Sequence, residues 1–352
     1  MKGLILSGGY GTRLRPLTFS QQKQLIPVAN KPIIFYCLED IIEAGVTDIG
    51  IVVGPNREQV IETVRSKKWN ANIEFIYQPE PKGLAHAIMV AEEFLNKEPF
   101  VMYLGDNLLK NGIVEHVKDF LNSDAEASIL LTDVPNPQQF GVAKLNEKKE
   151  IVELIEKPQR PPTNFVVIGI YFFRSAIFEA VKKIKPSWRN QLEIVDAIQW
   201  LINNGYKVKS SFVNGWWKDT GKPEDIIHAN RLVLDEIKNV KNLGILKNSK
   251  INGRIEIGKN SIIEKSTVKG PVVIGKNCMI RDAYIGPYTS IGDNCQIIAS
   301  EIEDSVIMEG TRIKGIKRIV ESLVGKEAEI VIDETLPKGY KMVIGDASQV
   351  RI

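Results

Sequence analysis

The sequence predicts an α/β domain on a mixed, mostly parallel sheet, followed by a coil of short parallel strands. Three observations carry this. Short apolar runs alternate with helix-period segments from the first residues to about residue 104, which is the signature of parallel strands with helices on both faces. From Ala127 the pattern changes to hairpin-like strands. Beyond Val240 apolar residues recur at a fixed interval of 17, a period that belongs to repeat architectures. A chain of 352 residues also exceeds the usual limit for a single core.

The elements follow in order. Residues 2–6 read as a short buried strand and 33–44 as a helix that stops at Gly45. Residues 48–53 form a continuous apolar strand, 57–65 a helix, 73–77 a strand, 83–95 a helix and 100–104 a third buried strand. Gly8, Pro79 and Asp106 each follow a strand of this set, so all three converge on one rim, where open α/β sheets bind ligands. Residues 142–145 and 151–155 flank the polar turn Asn146-Glu147-Lys148-Lys149 as a hairpin. A strand over 165–173, helices over 176–184 and 192–203, a strand over 206–213 and a helix over 225–238 complete this part.

Past Val240, Gly258-Lys259-Asn260 recurs as Gly275-Lys276-Asn277 and Gly292-Asp293-Asn294. Ile251, Val268, Ile285, Ile302 and Ile319 keep the same interval of 17. Ile257, Ile274 and Ile291 form a second register, and Ile263, Ile280 and Ile297 a third. Three apolar steps per repeat predict a triangular coil, each short strand inserting one aliphatic residue and the corners turned by Gly and Asn in left-handed conformations. The pattern resembles the hexapeptide-repeat, left-handed parallel β-helix. Cys278 and Cys295 lie one rung apart, as neighbours in a packed column of small residues.

Composition excludes several classes. Hydrophobic content of 43% is ample for large cores, and a net charge of +3 is too small to argue for nucleic acid or a membrane surface. No apolar run is long enough to span a bilayer, and the run after Met1 ends in glycines instead of a cleavage site. Three cysteines with no metal spacing fit a reduced, cytoplasmic setting.

The first strand runs into Ser7-Gly8-Gly9-Tyr10-Gly11-Thr12-Arg13-Leu14-Arg15-Pro16-Leu17-Thr18 and then Lys23-Gln24-Leu25-Ile26-Pro27. Glycines let backbone N–H groups approach an anion, and Arg13 and Lys23 neutralise negative charge beside them. Neither a P-loop nor a dinucleotide fingerprint is completed. G-G-x-G-T-R-L-x-P-x-T, K-Q-L-x-P and N-K-P-I together resemble the sugar-1-phosphate nucleotidylyltransferases, and within them the long-form glucose-1-phosphate thymidylyltransferases. The resemblance covers the whole chain. It implies a Rossmann-like nucleotidyltransferase domain over 1–240 and a left-handed β-helix of hexapeptide-type repeats over 241–352.

It also implies a reaction: a sugar 1-phosphate attacks the α-phosphorus of a nucleoside triphosphate in line, releasing pyrophosphate. A phosphate monoester, with a second pKa of about 6, is already mostly dianionic at neutral pH and needs no general base. Cations and metal must bring two polyanions together. By the resemblance Arg13, Lys23, Asp106, Lys157 and Asp219 are catalytic. Asp106 and Asp219 are the metal ligands, and two carboxylates beside substrate phosphates suit Mg²⁺. Leu6, Gly8, Gly9, Gly11, Thr12, Arg13, Gln24, Gln78 and Gly83 bind the nucleotide, with Gln78 reading a pyrimidine edge through its amide. Gly141, Glu156, Lys157, Val167 and Arg189 hold the sugar phosphate, with Gly169 beside them. The implied substrates are dTTP, or UTP, and glucose 1-phosphate.

The chain departs from the family in two places. Phe140 stands where a tyrosine often precedes the glycine, and Asn190-Gln191-Leu192-Glu193 replaces Gly-Glu-Leu-Glu. His86, on the helix after Gly83, is read as a helix-face residue. Alternatives are a UTP-glucose or GTP-mannose type of the same family, a bifunctional enzyme with an acyltransferase β-helix, and a non-catalytic regulatory homologue. Lys23-Gln24-Leu25 and Gln78 argue against the mannose type, and retention of all five catalytic residues argues against the regulatory one. No histidine follows His228, so the β-helix is expected to serve scaffolding and homo-oligomer assembly instead of acyl transfer.

Overall fold

A computed structural model of the chain describes residues 1–147, 150–238, 240–332 and 344–350. By compactness the chain divides into two units, one of Met1–Tyr10 with Ile33–Asp219 and one of Gly11–Pro32 with Thr220–Ile352.

The first unit is built on a mixed sheet. From one edge the strands run Asn72–Tyr77, Asp48–Val53, Lys2–Ser7, Phe100–Leu104, Phe165–Phe173, Gly141–Leu145 and Ile151–Glu156. The first four are mutually parallel. In Asp48–Val53, Lys2–Ser7 and Phe100–Leu104 the apolar side chains are buried on both faces, as helix-covered parallel strands require, whereas the edge strand Asn72–Tyr77 is only partly covered. Phe165–Phe173 pairs antiparallel with Phe100–Leu104 and with Ala127–Asp133, which carries Val208–Phe212 in parallel. The mixed, mostly parallel sheet is the one expected, and the ends of Lys2–Ser7, Asn72–Tyr77 and Phe100–Leu104 do share one rim. Helix Ile33–Glu43 lays Ile34, Cys37, Leu38 and Ile41 against the sheet, and Gly45 beyond it takes φ +82°.

Several boundaries differ from expectation. The helix expected over 83–95 is offset at Ala91 (φ −93°, ψ 3°) into Leu84–Val90 and Glu92–Leu95. The bonds Ala91 N–H to Ala87 O and Leu95 N–H to Ala91 O survive, so the path continues. The last helix of the α/β part is Pro223–Asp235, which begins earlier because proline suits the first helical turn. The hairpin over 141–156 closes through bonds between Asn146 and Glu150, while Lys148 and Lys149 of the expected turn lie outside the described residues. Two short strands, Asn107–Leu109 and Trp217–Asp219, pair antiparallel outside the main sheet.

In the second unit the coil is three-sided, with parallel sheets of six, six and five strands, consistent with the left-handed form. Ile257, Ile274 and Ile291 stack in one sheet, Ile263, Ile280 and Ile297 in the next, and Val268, Ile285 and Ile302 in the third. Asn260, Asn277 and Asn294 take φ of 61°, 55° and 61°, as expected. Gly258, Gly275 and Gly292 do not take positive φ. They are glycine for another reason: a Cβ on Gly258 would stand 2.5 Å from the carbonyl of Gly275 one rung on. Ser261, Cys278, Cys295 and Thr311 form the small-residue column, and the cysteines are free thiols. Each donates to a carbonyl of the following rung: Ser261 Oγ to Gly275 O at 2.6 Å, Cys278 Sγ to Gly292 O and Cys295 Sγ to Met308 O at 3.1 Å, and Thr311 Oγ1 to Gly325 O at 3.1 Å.

The segment Gly11–Pro32 belongs to this same unit and is fastened to it. Pro27–Val28 and Lys31–Pro32 pair as a hairpin whose two turn residues, Ala29 and Asn30, take φ of 47° and 61°. Asn230 of helix Pro223–Asp235 is wholly buried; its Oδ1 accepts from Ala29 N (2.9 Å) and Ser290 Oγ (2.5 Å), and its Nδ2 donates to Tyr288 O (2.9 Å). Asn30 Nδ2 donates to Ile291 O at 2.6 Å. Farther along, a Cβ on Gly325 would stand 3.1 Å from Leu17 Cδ2, so the segment lies along the coil.

Candidate active site

The rim of the first unit gathers three groups of side chains. The first surrounds Gly8. Strand Lys2–Ser7 ends there, with Leu6 O accepting from Gly105 N. A Cβ on Gly8 would lie 3.0 Å from Gln78 Oε1, so the glycine makes room for the carboxamide, whereas Gly9 stands in open space. Gln78 is buried at the end of Asn72–Tyr77, and its Nε2 lies 2.9 Å from His86 Nδ1. Burial lowers the histidine's pKa, Lys82 adds to that, and Glu80 opposes it. Gly83, with φ +113°, is wedged against the backbone of Leu192: a Cβ would stand 2.4 Å from Leu192 O. That close approach requires glycine and fixes the start of the His86 helix.

The second group is Asp106 and Asp219. Phe100–Leu104 delivers Asp106 to the rim, and Trp217–Asp219 pairs with Asn107–Leu109 so that Asp219 faces Asn107. Two aspartates distant in sequence are thereby anchored at adjoining positions of one ladder. Asn107 is buried and couples the strands: Trp217 Nε1 donates to its Oδ1 at 2.6 Å, and its Nδ2 donates to Asp106 Oδ1 at 3.0 Å. The indole thus fixes which end of the amide faces Asp106. Among the described residues, no group of three or more His, Cys, Asp or Glu side chains gathers that could hold a metal. Two carboxylates suit an ion that completes its shell with water and substrate phosphate, as Mg²⁺ does.

The third group lies around Gly141. A Cβ there would meet Val195 Cγ2 at 2.8 Å, Glu156 Oε2 at 3.4 Å and Val167 Cβ at 3.7 Å, so Gly141, Glu156 and Val167 are brought together. Gly169 is covered by Leu104 and Asn107. Lys157 takes φ 44°, and its N–H donates to Phe140 O at 3.0 Å, which turns it out of the strand. Arg189 Nη1 bridges Glu156 Oε1 (3.2 Å) and Glu193 Oε1 (3.3 Å), and Ser187 Oγ also donates to Glu193 at 2.8 Å. Burial raises the pKa of Glu156 and Glu193 adds to it, while Lys157 and Arg189 pull the other way. Phe140 packs edge-on against Trp217 at 5.5 Å, which gives the missing tyrosine's position a packing role.

The second unit carries Gly11, Thr12, Arg13, Lys23 and Gln24. Gly11 has φ +61°, its carbonyl accepts from Thr18 Oγ1 (2.8 Å) and Leu14 N (2.9 Å), and a Cβ would press on Thr18 and on Lys23 Cβ at 3.1 Å. Gly11 and Lys23 are therefore neighbours. Thr12–Leu14 and Lys23–Leu25 are single 3₁₀ turns. Gln24 is buried with Oε1 unsatisfied among the described residues, and Ser7 Oγ in the first unit is in the same state. Buried polar atoms without partners are rare, cost about 1–3 kcal/mol each, and cluster at functional sites.

Sequence reasoning missed His86 as a partner of Gln78, Asn107 and Trp217 as supports of Asp106, and Glu193 as a partner of Arg189. The Gln78–His86 spacing joins a loop to a helix and has no periodic signature. The Trp217–Asn107 bond spans 110 residues. No helix among the described residues is long and apolar enough to cross a membrane.

Comparison with known proteins agrees with this geometry. The model of the family described as nucleotidyl transferase matches residues 2–236. The low-salt glycan biosynthesis nucleotidyltransferase Agl11 of Haloferax volcanii is 47% identical, with 100% of both chains covered. A glucose-1-phosphate thymidylyltransferase of Streptomyces antibioticus is 43% identical over 100% of this chain and 99% of its own. Among solved structures, a protein of Bacillus anthracis named glucose-1-phosphate thymidylyltransferase, in complex with sucrose, superposes with a TM-score of 0.62 at 34% identity, covering 68% of this chain and 98% of that one. With relatives matched from end to end and a rim of this make-up, the chain belongs to the nucleotidyl transferase family, as an enzyme of the sugar-1-phosphate nucleotidyltransferases.

Proposed function

We propose that the enzyme transfers a nucleotidyl group from dTTP, with UTP a usable second donor, to glucose 1-phosphate, giving dTDP-glucose and pyrophosphate. The observation that carries the reading is the Asn107–Asp219 pairing, which joins the Asp106 and Asp219 strands in one ladder. These two carboxylates would hold Mg²⁺. Bound there, the ion neutralises phosphate oxygens and stabilises the leaving pyrophosphate.

The remaining steps fall to the chain's own residues. Gly8, Gly9, Gly11 and Thr12 offer backbone N–H groups to the triphosphate, Leu6 and Gly83 frame the nucleoside, and Arg13 and Lys23 supply positive charge. Gln24 brings its unsatisfied carbonyl to the nucleotide. Gln78 reads the pyrimidine edge, donating to a carbonyl and accepting from the ring N–H. Glu156 accepts sugar hydroxyls over the floor made by Gly141 and Val167, and Lys157 and Arg189 hold the sugar phosphate. Arg189 is paired with Glu156 and Glu193, so engaging the sugar phosphate would exchange those pairs for phosphate. The sugar phosphate, already dianionic, attacks the α-phosphorus without a base. In this reading residues 1–240 form the catalytic module and 241–352 the β-helix.

The test is pyrophosphate release for dTTP, UTP, ATP and GTP against glucose 1-phosphate and other sugar 1-phosphates, with and without Mg²⁺. Thymine and uracil differ by one methyl group, worth about 10–200-fold at most, so dTTP leads and UTP follows. GTP exceeding dTTP would sink the pyrimidine reading.

A further inference from the structure

We propose that His86 is a positioning residue for nucleobase selection: its unprotonated Nδ1 fixes which end of the Gln78 carboxamide faces the base, and protonation of the ring reverses that amide. The proposal rests on the reading of Gln78 as the base reader.

The geometry is specific. Gln78 Nε2 sits 2.9 Å from His86 Nδ1. A carboxamide NH₂ only donates, so Nδ1 must carry the lone pair and the neutral ring must carry its proton on Nε2. The opposite end of the amide is also placed: Oε1 lies against Gly8, where a Cβ would be 3.0 Å away. Gln78 is buried, and its backbone is fixed by its N–H to Val53 O at 2.9 Å, so the amide's freedom is reduced to its terminal rotation. Two states follow. With the ring neutral, one N–H of the amide is held by His86, while the second N–H and Oε1 stay available to a base. With the ring protonated, Nδ1–H confronts an NH₂ group, and the amide turns over so that Oε1 accepts from it. Donor and acceptor then exchange places toward the base, and the pattern that suits a pyrimidine carbonyl beside a ring N–H is inverted.

The charged groups facing His86 are Lys82 and Glu80, both from the loop before its helix and paired with each other at 2.8 Å. Burial and Lys82 hold the ring neutral at pH 7, so the change lies below the ordinary histidine value of about 6.5. A histidine that served only to pack the helix would have no effect on the choice of base.

The experiment measures kcat/KM for dTTP and for dCTP between pH 5 and pH 8 in the full-length enzyme and in the variants His86→Leu and Gln78→Ala. In the unmodified enzyme the dTTP-to-dCTP ratio should fall about tenfold or more as pH drops below the histidine range, because cytosine offers an amino group beside a bare ring nitrogen, the inverse of thymine's carbonyl beside N–H. In His86→Leu the ratio should already be low at pH 8 and should not vary with pH. As a readout that requires no variant, ¹⁵N NMR of the His86 ring at pH 7.5 should show Nδ1 unprotonated and Nε2 protonated. A pH-independent ratio in the unmodified enzyme, or a protonated Nδ1 at pH 7.5, would overturn the proposal. If Gln78→Ala lowers the ratio and His86→Leu does not, the positioning role fails and the base-reading role stands. If Gln78→Ala leaves the ratio unchanged, the base-reading role fails and takes the proposal with it.

Discussion

Replacing Asn230 by alanine tests how the hairpin Pro27–Pro32 is held. Asn230 makes three hydrogen bonds in a site with no solvent exposure: it accepts from Ala29 N and Ser290 Oγ and donates to Tyr288 O. A typical bond contributes about 1 kcal/mol net, and a buried group left without a partner costs about 1–3 kcal/mol. Loss of all three therefore costs about 3 kcal/mol, and Ser290→Ala, which removes one, costs about 1 kcal/mol. The Ala29 amide is itself one of the donors, so its hydrogen exchange reports the local opening directly. At 1.4 kcal/mol per factor of ten, about 3 kcal/mol predicts exchange roughly a hundredfold faster in Asn230→Ala. Urea unfolding followed by hydrogen-exchange mass spectrometry measures both quantities. If the Ala29 amide exchanged at the original rate in Asn230→Ala, the anchoring of the hairpin through this side chain would be refuted, whatever happened to global stability.

Other outcomes can be checked alongside. Asp106→Asn and Asp219→Asn should each lower kcat by orders of magnitude with an unchanged circular dichroism spectrum; near-normal turnover in both would remove them from the chemistry. Burial raises the Glu156 pKa, so the folded state binds its proton more readily than the unfolded chain, and the contribution to stability is lost as pH rises through that raised value. Glu156→Gln should accordingly raise the urea midpoint at pH 8, show no gain below the ordinary glutamate range, and raise KM for glucose 1-phosphate; a lower midpoint at pH 8 would contradict the sign. Trp217→Phe removes the donor that orients Asn107 and should lower kcat more than it lowers Tm. A chain ending at Val240 loses Tyr288, Ser290 and Ile291 as partners of Asn230 and Asn30, and should show faster exchange across 11–32.

The repeats were the most legible part of the sequence because each rung meets the same packing demand, so Ile257, Ile274 and Ile291 report one column three times over. The central strands were legible as apolar runs between glycines and helices, and their parallel pairing put Gly8, Pro79 and Asp106 on one rim. The pairing of Asn107–Leu109 with Trp217–Asp219 was not, since three-residue strands carry no period and their partner is about a hundred residues away. The break at Ala91 was equally hidden, because alanine is the best helix former and gives no sign of an offset. The glycines of the repeated triplets, Gly258, Gly275 and Gly292, were recognised but for the wrong cause: the asparagines two residues on take the left-handed conformation and these glycines allow one rung to lie on the next, while Gly253, Gly310 and Gly315 do take positive φ as expected. Among site residues, Arg189 was expected at phosphate alone; its carboxylate partner Glu193 was visible in the sequence, yet charge pairing across a turn has no spacing rule that would have joined them.

The fastening of residues 11–32 to the coil has a consequence for how this protein can change in length. A ladder of equivalent rungs is indifferent to addition or loss at its ends, and a 17-residue cassette could be inserted in many places without disturbing a neighbour. Here the ladder is marked like a ruler. Asn30 reads the rung at Ile291 and Leu17 reads the one at Gly325. Between those marks a cassette cannot be added or removed, because the segment that spans them has a fixed reach. Asp235 adds a third mark, since it accepts from both Arg254 and Tyr288, so length variation is confined to the rungs before Arg254 and to whatever follows Gly325, and a duplication between Ile291 and Gly325 would stretch the chain's cation-bearing segment along with it.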